Sequence, residues 1–395
     1  MYRPLFQIRP AMRIWRNANR LALGTMFGTL FSCLQLDPSV QNRENLAQAV
    51  NLLTALNGGS QYYIFLSNKL NDGQARTFLK YSNGALSRID YSGGPDNIWK
   101  ARVLDGTIFA LDNSTNDTVW ITKDEGTTWT QVDVPGLTTD VFLHMEVCGS
   151  RLYLAKSLLA TDPSAYTPGY YTDASGSSYS EWRASGVSLE SIPGDLACGN
   201  DRLYASLDMT PFLSFAPAAA PESSTSATSN TAPREFSAMA ARSGTLLGIH
   251  YGDPFYGAGY SSDAGANVVA TGNFDAGYTF LSSTESEGAL TASDAGYHVG
   301  LVYQATATCK FYRFSTGAES PAATASNTVD CGPYTDVELT SMAASGSTVA
   351  AAYRANGGSS TGILISSDGG LSFEKLDVSS VWSDQGYITS IQPIR

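Results

Sequence analysis

A tight turn followed by an apolar strand recurs seven times along this chain, and that recurrence limits the fold more than any other feature. The copies are GGSQYYIFL from Gly58, DGTIFAL from Asp105, CGSRLYLA from Cys148, CGNDRLYA from Cys198, SGTLLGI from Ser243, DAGYHVGLVY from Asp294 and SGSTVAAAY from Ser345. Their turn glycines stand at 59, 106, 149, 199, 244, 296 and 346, with gaps of 47, 43, 50, 45, 52 and 50. A repeat of about 40–50 residues holding several strands is the period of a four-stranded propeller blade. The chain has 395 residues, of which only 15% are charged, and 37 are glycine. That composition suits short strands and many turns rather than long helices. The expected fold is therefore all-β: one β-propeller over residues 51–395, with seven four-stranded blades and six or eight as the neighbouring counts.

A second pattern keeps step with the first. Thr122-Lys-Asp124-Glu-Gly126-Thr-Thr128-Trp129 and Ser366-Ser-Asp368-Gly-Gly370-Leu-Ser372-Phe373 share the form Ser/Thr-x-Asp-x-Gly-x-Ser/Thr-aromatic. Ser261-Ser-Asp263-Ala-Gly265 begins the same way and loses the end, and weaker echoes run over Ser82–Ser87 and Gly176–Tyr179. In this pattern the Asp carboxylate accepts from turn amides. The Gly supplies a backbone conformation that other residues resist, and the aromatic ring buries a large apolar area. The pattern resembles the Asp-box, or BNR repeat, of sialidase-like and sortilin-like propellers. That resemblance implies a structural box at the periphery, so Asp124, Asp263 and Asp368 are expected to hold turns rather than to catalyse. The terminal Tyr387-Ile-Thr-Ser-Ile-Gln-Pro-Ile is similar to segments just upstream of the turn glycines, which predicts that the last strand completes the first blade. The low-complexity stretch 216–233 is expected to be a long exposed loop of the fourth blade.

The first 32 residues hold five arginines (Arg3, Arg9, Arg13, Arg16, Arg20) and no acid. They read as an address, a basic stretch and then a short apolar one, ending at Leu30-Phe31-Ser32-Cys33. This tetrapeptide resembles the lipobox of bacterial lipoproteins, which implies a signal peptide over 1–32, lipidation at Cys33 and a tether over 33–50. A mitochondrial presequence or an ordinary cleaved signal peptide is the competing reading. Without the leader the chain holds 19 basic and 36 acidic residues. Such a balance argues against nucleic acid as a partner, and it leaves the lipid anchor as the only expected membrane contact. Four cysteines remain, Cys148, Cys198, Cys309 and Cys331. An even number in an exported chain is compatible with two disulfides. Of the three connectivities, sequence order favours Cys148–Cys198 with Cys309–Cys331.

Residues that would carry chemistry are scattered. Sialidases have an Arg-Ile-Pro motif, and Arg88-Ile89-Asp90 has Asp where Pro belongs. His144, His250 and His298 lie far apart, each expected to be a packed or solvated strand residue. No cofactor or metal is expected. The run Tyr251-Gly-Asp-Pro-Phe255-Tyr256-Gly-Ala-Gly-Tyr260 is the candidate recognition loop, since glycine-flanked aromatics suit sugar or peptide stacking. The functional expectation is an exported, lipid-anchored, monomeric and non-catalytic module that binds a protein or glycan at the bacterial cell envelope. A secreted or periplasmic location is the alternative, as is a glycoside hydrolase of sialidase-like or xyloglucanase-like architecture.

Overall fold

A computed structural model describes residues 60–394 apart from 69–75, 83, 113–114, 135–141, 157–168, 183–192, 201, 208–209, 216–223, 227–235, 251–256, 264–266, 268, 272–289, 304–305, 316–322, 333–335, 356–359, 379–380 and 383–385. The leader, the tether and Cys33 lie outside the described residues, as do Tyr251, Phe255, Tyr256 and Gly265.

The strands run in chain order as follows. The first three are β1 (Tyr62–Asn68), β2 (Arg76–Ser82) and β3 (Ala85–Tyr91). Then come β4 (Ile98–Leu104), β5 (Thr107–Asp112), β6 (Thr115–Thr122) and β7 (Thr130–Asp133). The third group is β8 (Phe142–Cys148), β9 (Arg151–Lys156), β10 (Gly169–Thr172) and β11 (Ser180–Trp182). The fourth is β12 (Pro193–Gly199), β13 (Arg202–Leu207), β14 (Thr210–Phe215) and β15 (Ser224–Ser226). The fifth is β16 (Phe236–Arg242), β17 (Thr245–His250), β18 (Gly257–Ser261) and β19 (Val269–Thr271). The sixth is β20 (Leu290–Ser293), β21 (Gly296–Tyr303), β22 (Thr308–Phe314) and β23 (Ala323–Asp330). The last is β24 (Glu338–Ser345), β25 (Thr348–Ala355), β26 (Ser360–Ser366) and β27 (Glu374–Leu376), followed by β28 (Gly386–Pro393).

These strands form seven four-stranded antiparallel sheets. Six are consecutive meanders, numbered here as blades 2 to 7. Blade 1 has the order β28-β1-β2-β3, so the C-terminal strand supplies its innermost member, as the terminal sequence predicts. The innermost strands β28, β4, β8, β12, β16, β20 and β24 each contact the next, and β24 meets β28. This closes a ring of seven blades, and closure removes the open edge that a sheet of this size would otherwise present.

Each meander begins with a two-residue hairpin turn. Asp105-Gly106 and Ser243-Gly244 take positive φ at both positions (48° and 77°; 48° and 80°). That is the mirror-image turn whose twist matches paired strands. Second strands are sandwiched between neighbouring blades. β5 is buried at every residue, and β21 at all but its last. Five of the seven outer strands are only three or four residues long, which limits the exposed edge. One of them, β15, consists of three residues of the low-complexity stretch. That stretch is thus not only a loop: Ser224–Ser226 pairs with β14 and finishes blade 4.

Hydrophobic packing divides the same way. The buried apolar residues fall into seven clusters, each drawn from two adjacent blades and together covering all seven seams. Stability therefore resides between blades, with no shared central core. This follows from ring geometry, because the sheets stand face to face around an axis.

Candidate functional site

The innermost strands share an irregularity that shapes the channel. Six of the seven shift register at an equivalent point, each with one extra residue: Thr389, Trp99, Leu143, Gly194, Ser237 and Thr340. Such a bulge bends the strand and re-aims the next side chain. The residues that follow are Ser390, Lys100, His144, Asp195, Ala238 and Ser341, all buried.

All but the alanine make polar contacts along the channel. Ser341 Oγ accepts from Ile391 N at 2.9 Å, tying blade 7 to blade 1. Ser390 Oγ donates to the Ala101 carbonyl at 3.5 Å, reaching blade 2. His144 Nδ1 lies 3.4 Å from Lys100 Nζ and 3.2 Å from Asp195 Oδ1, so the imidazole joins blades 2, 3 and 4. Asp195 Oδ2 accepts from Met239 N at 2.6 Å, reaching blade 5. These equivalent side chains form a polar belt from blade 7 through blade 5. At Ala238 no side chain is long enough to continue it. Two residues further along the strands, Arg102 Nε donates to Glu146 Oε2 at 3.1 Å, again between blades 2 and 3.

Towards the hairpin-turn end of these strands the ring leaves a cavity of about 180 Å³. Arg102, Glu146 and Asp195 line one side, and Thr291, Ala343 and Gln392 lie among the lining residues of the other blades. The cavity thus has a charged wall on blades 2 to 4 and a largely small, uncharged wall on blades 5 to 7. Both of its carboxylates are already engaged by neighbouring blades. Among the described residues, no three or more His, Cys, Asp or Glu side chains are grouped to hold a metal ion.

The boxes lie elsewhere. Thr122–Trp129 joins β6 to β7, Ser261–Asn267 lies between β18 and β19, and Ser366–Phe373 joins β26 to β27. Each is the turn between the third and outermost strands of its blade. In blade 2, Asp124 Oδ1 accepts from Thr128 N at 2.9 Å and Oδ2 from Thr128 Oγ1 at 2.6 Å, while Thr122 Oγ1 donates to Oδ1 at 2.8 Å and accepts from Gly126 N at 2.9 Å. The two Thr128 donors, with Thr122 behind them, hold the Asp124 carboxyl down at about 2. Asp368 repeats the arrangement with Ser372 N, Ser372 Oγ and Ser366 Oγ. Burial opposes ionisation of Asp368, yet its four hydroxyl and amide donors, Leu371 N included, outweigh that and keep it below the ordinary carboxylate value.

In blade 5 the sequence pattern looked truncated, but Asn267 completes it. Its backbone N and Nδ2 donate to Asp263 at 2.8 and 2.6 Å, standing in for the terminal Ser or Thr. In blade 3, Thr172–Tyr179 occupies the same turn between β10 and β11 with Ala174 at the Asp position.

Two further box residues reach back to the preceding blade. A Cβ on Gly126 would sit 2.3 Å from Phe78 of blade 1, and one on Gly370 would sit 2.4 Å from His298 of blade 6. Trp129 packs on Tyr91 of blade 1 with ring centroids 5.5 Å apart, and Phe373 stacks on Phe311 of blade 6 at 3.8 Å. The box therefore fastens a seam as well as a turn. Truncating Trp129 or Phe373 to Ala is expected to destabilise the protein by about 3–5 kcal/mol, measured by chemical denaturation. A loss below about 1 kcal/mol for both would show that these rings are not seam fasteners.

The remaining predicted residues find clear places. Cys148–Cys198 and Cys309–Cys331 are disulfides with Cα atoms 5.3 and 6.1 Å apart. The first joins the inner strands of blades 3 and 4, and the second lies within blade 6. Tyr260 was expected in a recognition loop. Instead it lies in β18, is 1% exposed and packs edge-on against Tyr297, so it belongs to the blade 5–blade 6 seam. Lys100, Asp195, Arg102 and Glu146 were not anticipated from the sequence, whereas His144 was expected to be a packed or solvated strand residue and is buried.

No family model matches the chain, and no curated protein matches it. Among solved structures it is similar to YCF48 bound to D1 peptide, at 15% identity and a TM-score of 0.49 over 74% of this chain and 88% of that one. It is similar to apo AztD from Citrobacter koseri, at 10% identity and a TM-score of 0.45 over 85% and 98% of the two chains. It is also similar to YCF48 from Cyanidioschyzon merolae, at 11% identity and a TM-score of 0.46 over 74% and 95%. The propeller assignment rests on the strand pairing described above.

Proposed function

We propose that this propeller is an exported, lipid-anchored binding module that recognises a protein or glycan at the bacterial cell envelope. The observation that carries the reading is the state of the channel carboxylates. Glu146 is paired with Arg102, and Asp195 with His144 and Met239 N, each across a seam. A glycosidase needs one carboxyl group free to deliver a proton and another free to act as nucleophile or base. Here both are used to fasten blades, which favours recognition over turnover. Two disulfides support export, because such bonds persist in oxidising compartments. The anchor is assigned to Cys33 from the lipobox resemblance.

The test has two arms. The purified domain, residues 51–395, is applied to glycan and peptide arrays, and the same glycans are analysed for cleavage. Binding without cleavage is expected. Cleavage that disappears in Glu146→Gln, or binding to neither array, would overturn the module. In the second arm, Cys33→Ser is expected to move the full-length protein from the detergent phase to the aqueous phase. An unchanged partition would remove the anchor from the proposal.

A further inference from the structure

The box glycine of blade 7 faces a histidine where two other box glycines face apolar groups. The box glycine of blade 2 faces Phe78 of blade 1, and Gly176 of blade 3 faces Ile121 of blade 2. In blade 7, Gly370 faces the His298 ring of blade 6 instead. The imidazole is 1% exposed. Its Nε2 lies 2.6 Å from Ser293 Oγ, which also accepts from Ala295 N at 3.0 Å. Its Nδ1, on the Gly370 side, has no hydrogen-bond partner.

We propose that the seam between blades 6 and 7 is an acid-opened joint, in which protonation of His298 drives the Asp-box of blade 7 off blade 6. The neutral Nε2–H tautomer is tolerated, because it donates to Ser293 Oγ and leaves Nδ1 without a proton. The cation places an N–H at Nδ1 against the Gly370 backbone, buried and without an acceptor, which is costly. The surrounding charges add to this. Arg313 lies directly opposite His298 in the β21–β22 register and donates to the Gly369 carbonyl at 3.4 Å. Arg242 of blade 5 donates to the Ser293 carbonyl and, at 3.2 Å, to Asp294. Two guanidinium groups therefore disfavour a third positive charge. The box carboxylate, Asp368, is held ionised by its own donors and keeps its turn intact while the histidine titrates.

Burial, then Arg313 and Arg242, lower the His298 pKa from 6.5 to about 4. Closure favours the neutral ring, so the stability it contributes is fully present above pH 6.5 and is lost as pH falls through about 4. If the opened ring titrates at its ordinary value, the opening equilibrium rises roughly 25-fold between pH 7.5 and pH 5. Beyond the box, Asn327 of blade 6 grips the Phe373 backbone through both amide atoms, at 2.8 and 2.9 Å. The opening is therefore read at both partners.

Hydrogen exchange, corrected for the intrinsic pH dependence, would be followed on the intact protein in peptides covering 296–303 and 366–373. Protection in both peptides is expected to fall roughly 25-fold by pH 5, while the equivalent box at 122–129 holds. His298→Phe, which makes the contact with Gly370 apolar, is expected to abolish the fall, and His298→Gln is expected to do so without an added ring should the phenylalanine not fold. Protection at 366–373 that is unchanged between pH 7.5 and pH 5 would overturn the proposal. So would an acid-induced loss that persists undiminished in either folded variant.

Discussion

Removing the last ten residues, 386–395, is expected to leave no cooperatively folding protein. Those residues carry β28, the inner strand of blade 1, and among the described residues every other strand is already placed in a sheet. Ile388 and Ile391 are fully buried and sit in the cluster that joins blade 1 to blade 7. Burying an Ile side chain contributes about 1.5–3 kcal/mol. Deletion would forfeit both of these and also expose Ile64 and Leu66 of β1, which are buried beside them. The total approaches or exceeds the 5–15 kcal/mol that typically separates folded from unfolded states. It would also uncover the whole edge of β1, a template for aggregation. Thermal melting by circular dichroism should show no transition. A permutant in which Pro393 is joined to Tyr62 by a two-residue turn, with new termini opened within 227–235, should melt cooperatively. A truncated chain that melted like the intact one would mean that the ring does not depend on closure.

Blade period, strand count and closure were legible because they follow from turn chemistry, which sequence displays directly. A hairpin needing positive φ selects Gly, Asn or Asp, and a repeated turn selects them repeatedly. The Asp124 and Asp368 turns were legible for the same reason, although Asn267 was missed because its Nδ2 takes the place of the hydroxyl donor that the pattern assigns to Ser or Thr. The belt was not visible, and turn chemistry explains that too. In the turns that follow the belt residues the repeat glycine is second in Asp105-Gly106 and Ser243-Gly244 and first in Gly149-Ser150 and Gly346-Ser347. In blade 4 it is Gly199, the last residue of the inner strand. Counting back from the repeat glycine, Lys100, His144, Asp195, Ala238 and Ser341 therefore lie six, five, four, six and five residues upstream. Aligned instead on strand pairing, all five occupy one column, four residues before the end of the inner strand. The column also mixes Ser, Lys, His, Asp and Ala. Only the three-dimensional register reveals that these different side chains span equivalent gaps.

Asp195→Ala is expected to cost about 3–5 kcal/mol, because it removes a buried carboxylate shared by two neighbouring blades and leaves its partners unsatisfied. The carboxylate is 4% exposed and serves two neighbours, His144 of blade 3 and Met239 N of blade 5. Its removal leaves a buried backbone N–H without an acceptor, and Lys100 and His144 face each other without the carboxylate between blades. Asp195→Asn keeps an oxygen for Met239 N while discarding the charge, so it should cost less than Ala and separate the two contributions. The column itself suggests a stricter test. Blades 1 and 7 fasten their seams with Ser390 and Ser341. A triple variant, Lys100→Ser, His144→Ser and Asp195→Ser, would replace the charged part of the belt with the same neutral chemistry. Because desolvating buried charges offsets most of their attraction, the triple variant should be far less destabilised than Asp195→Ala alone. Chemical denaturation of the four proteins decides the matter. A loss in the triple variant that equals or exceeds that of Asp195→Ala would mean that neutral hydroxyls cannot replace the charged belt. A loss below about 1 kcal/mol for Asp195→Ala would mean that the belt does not fasten the ring.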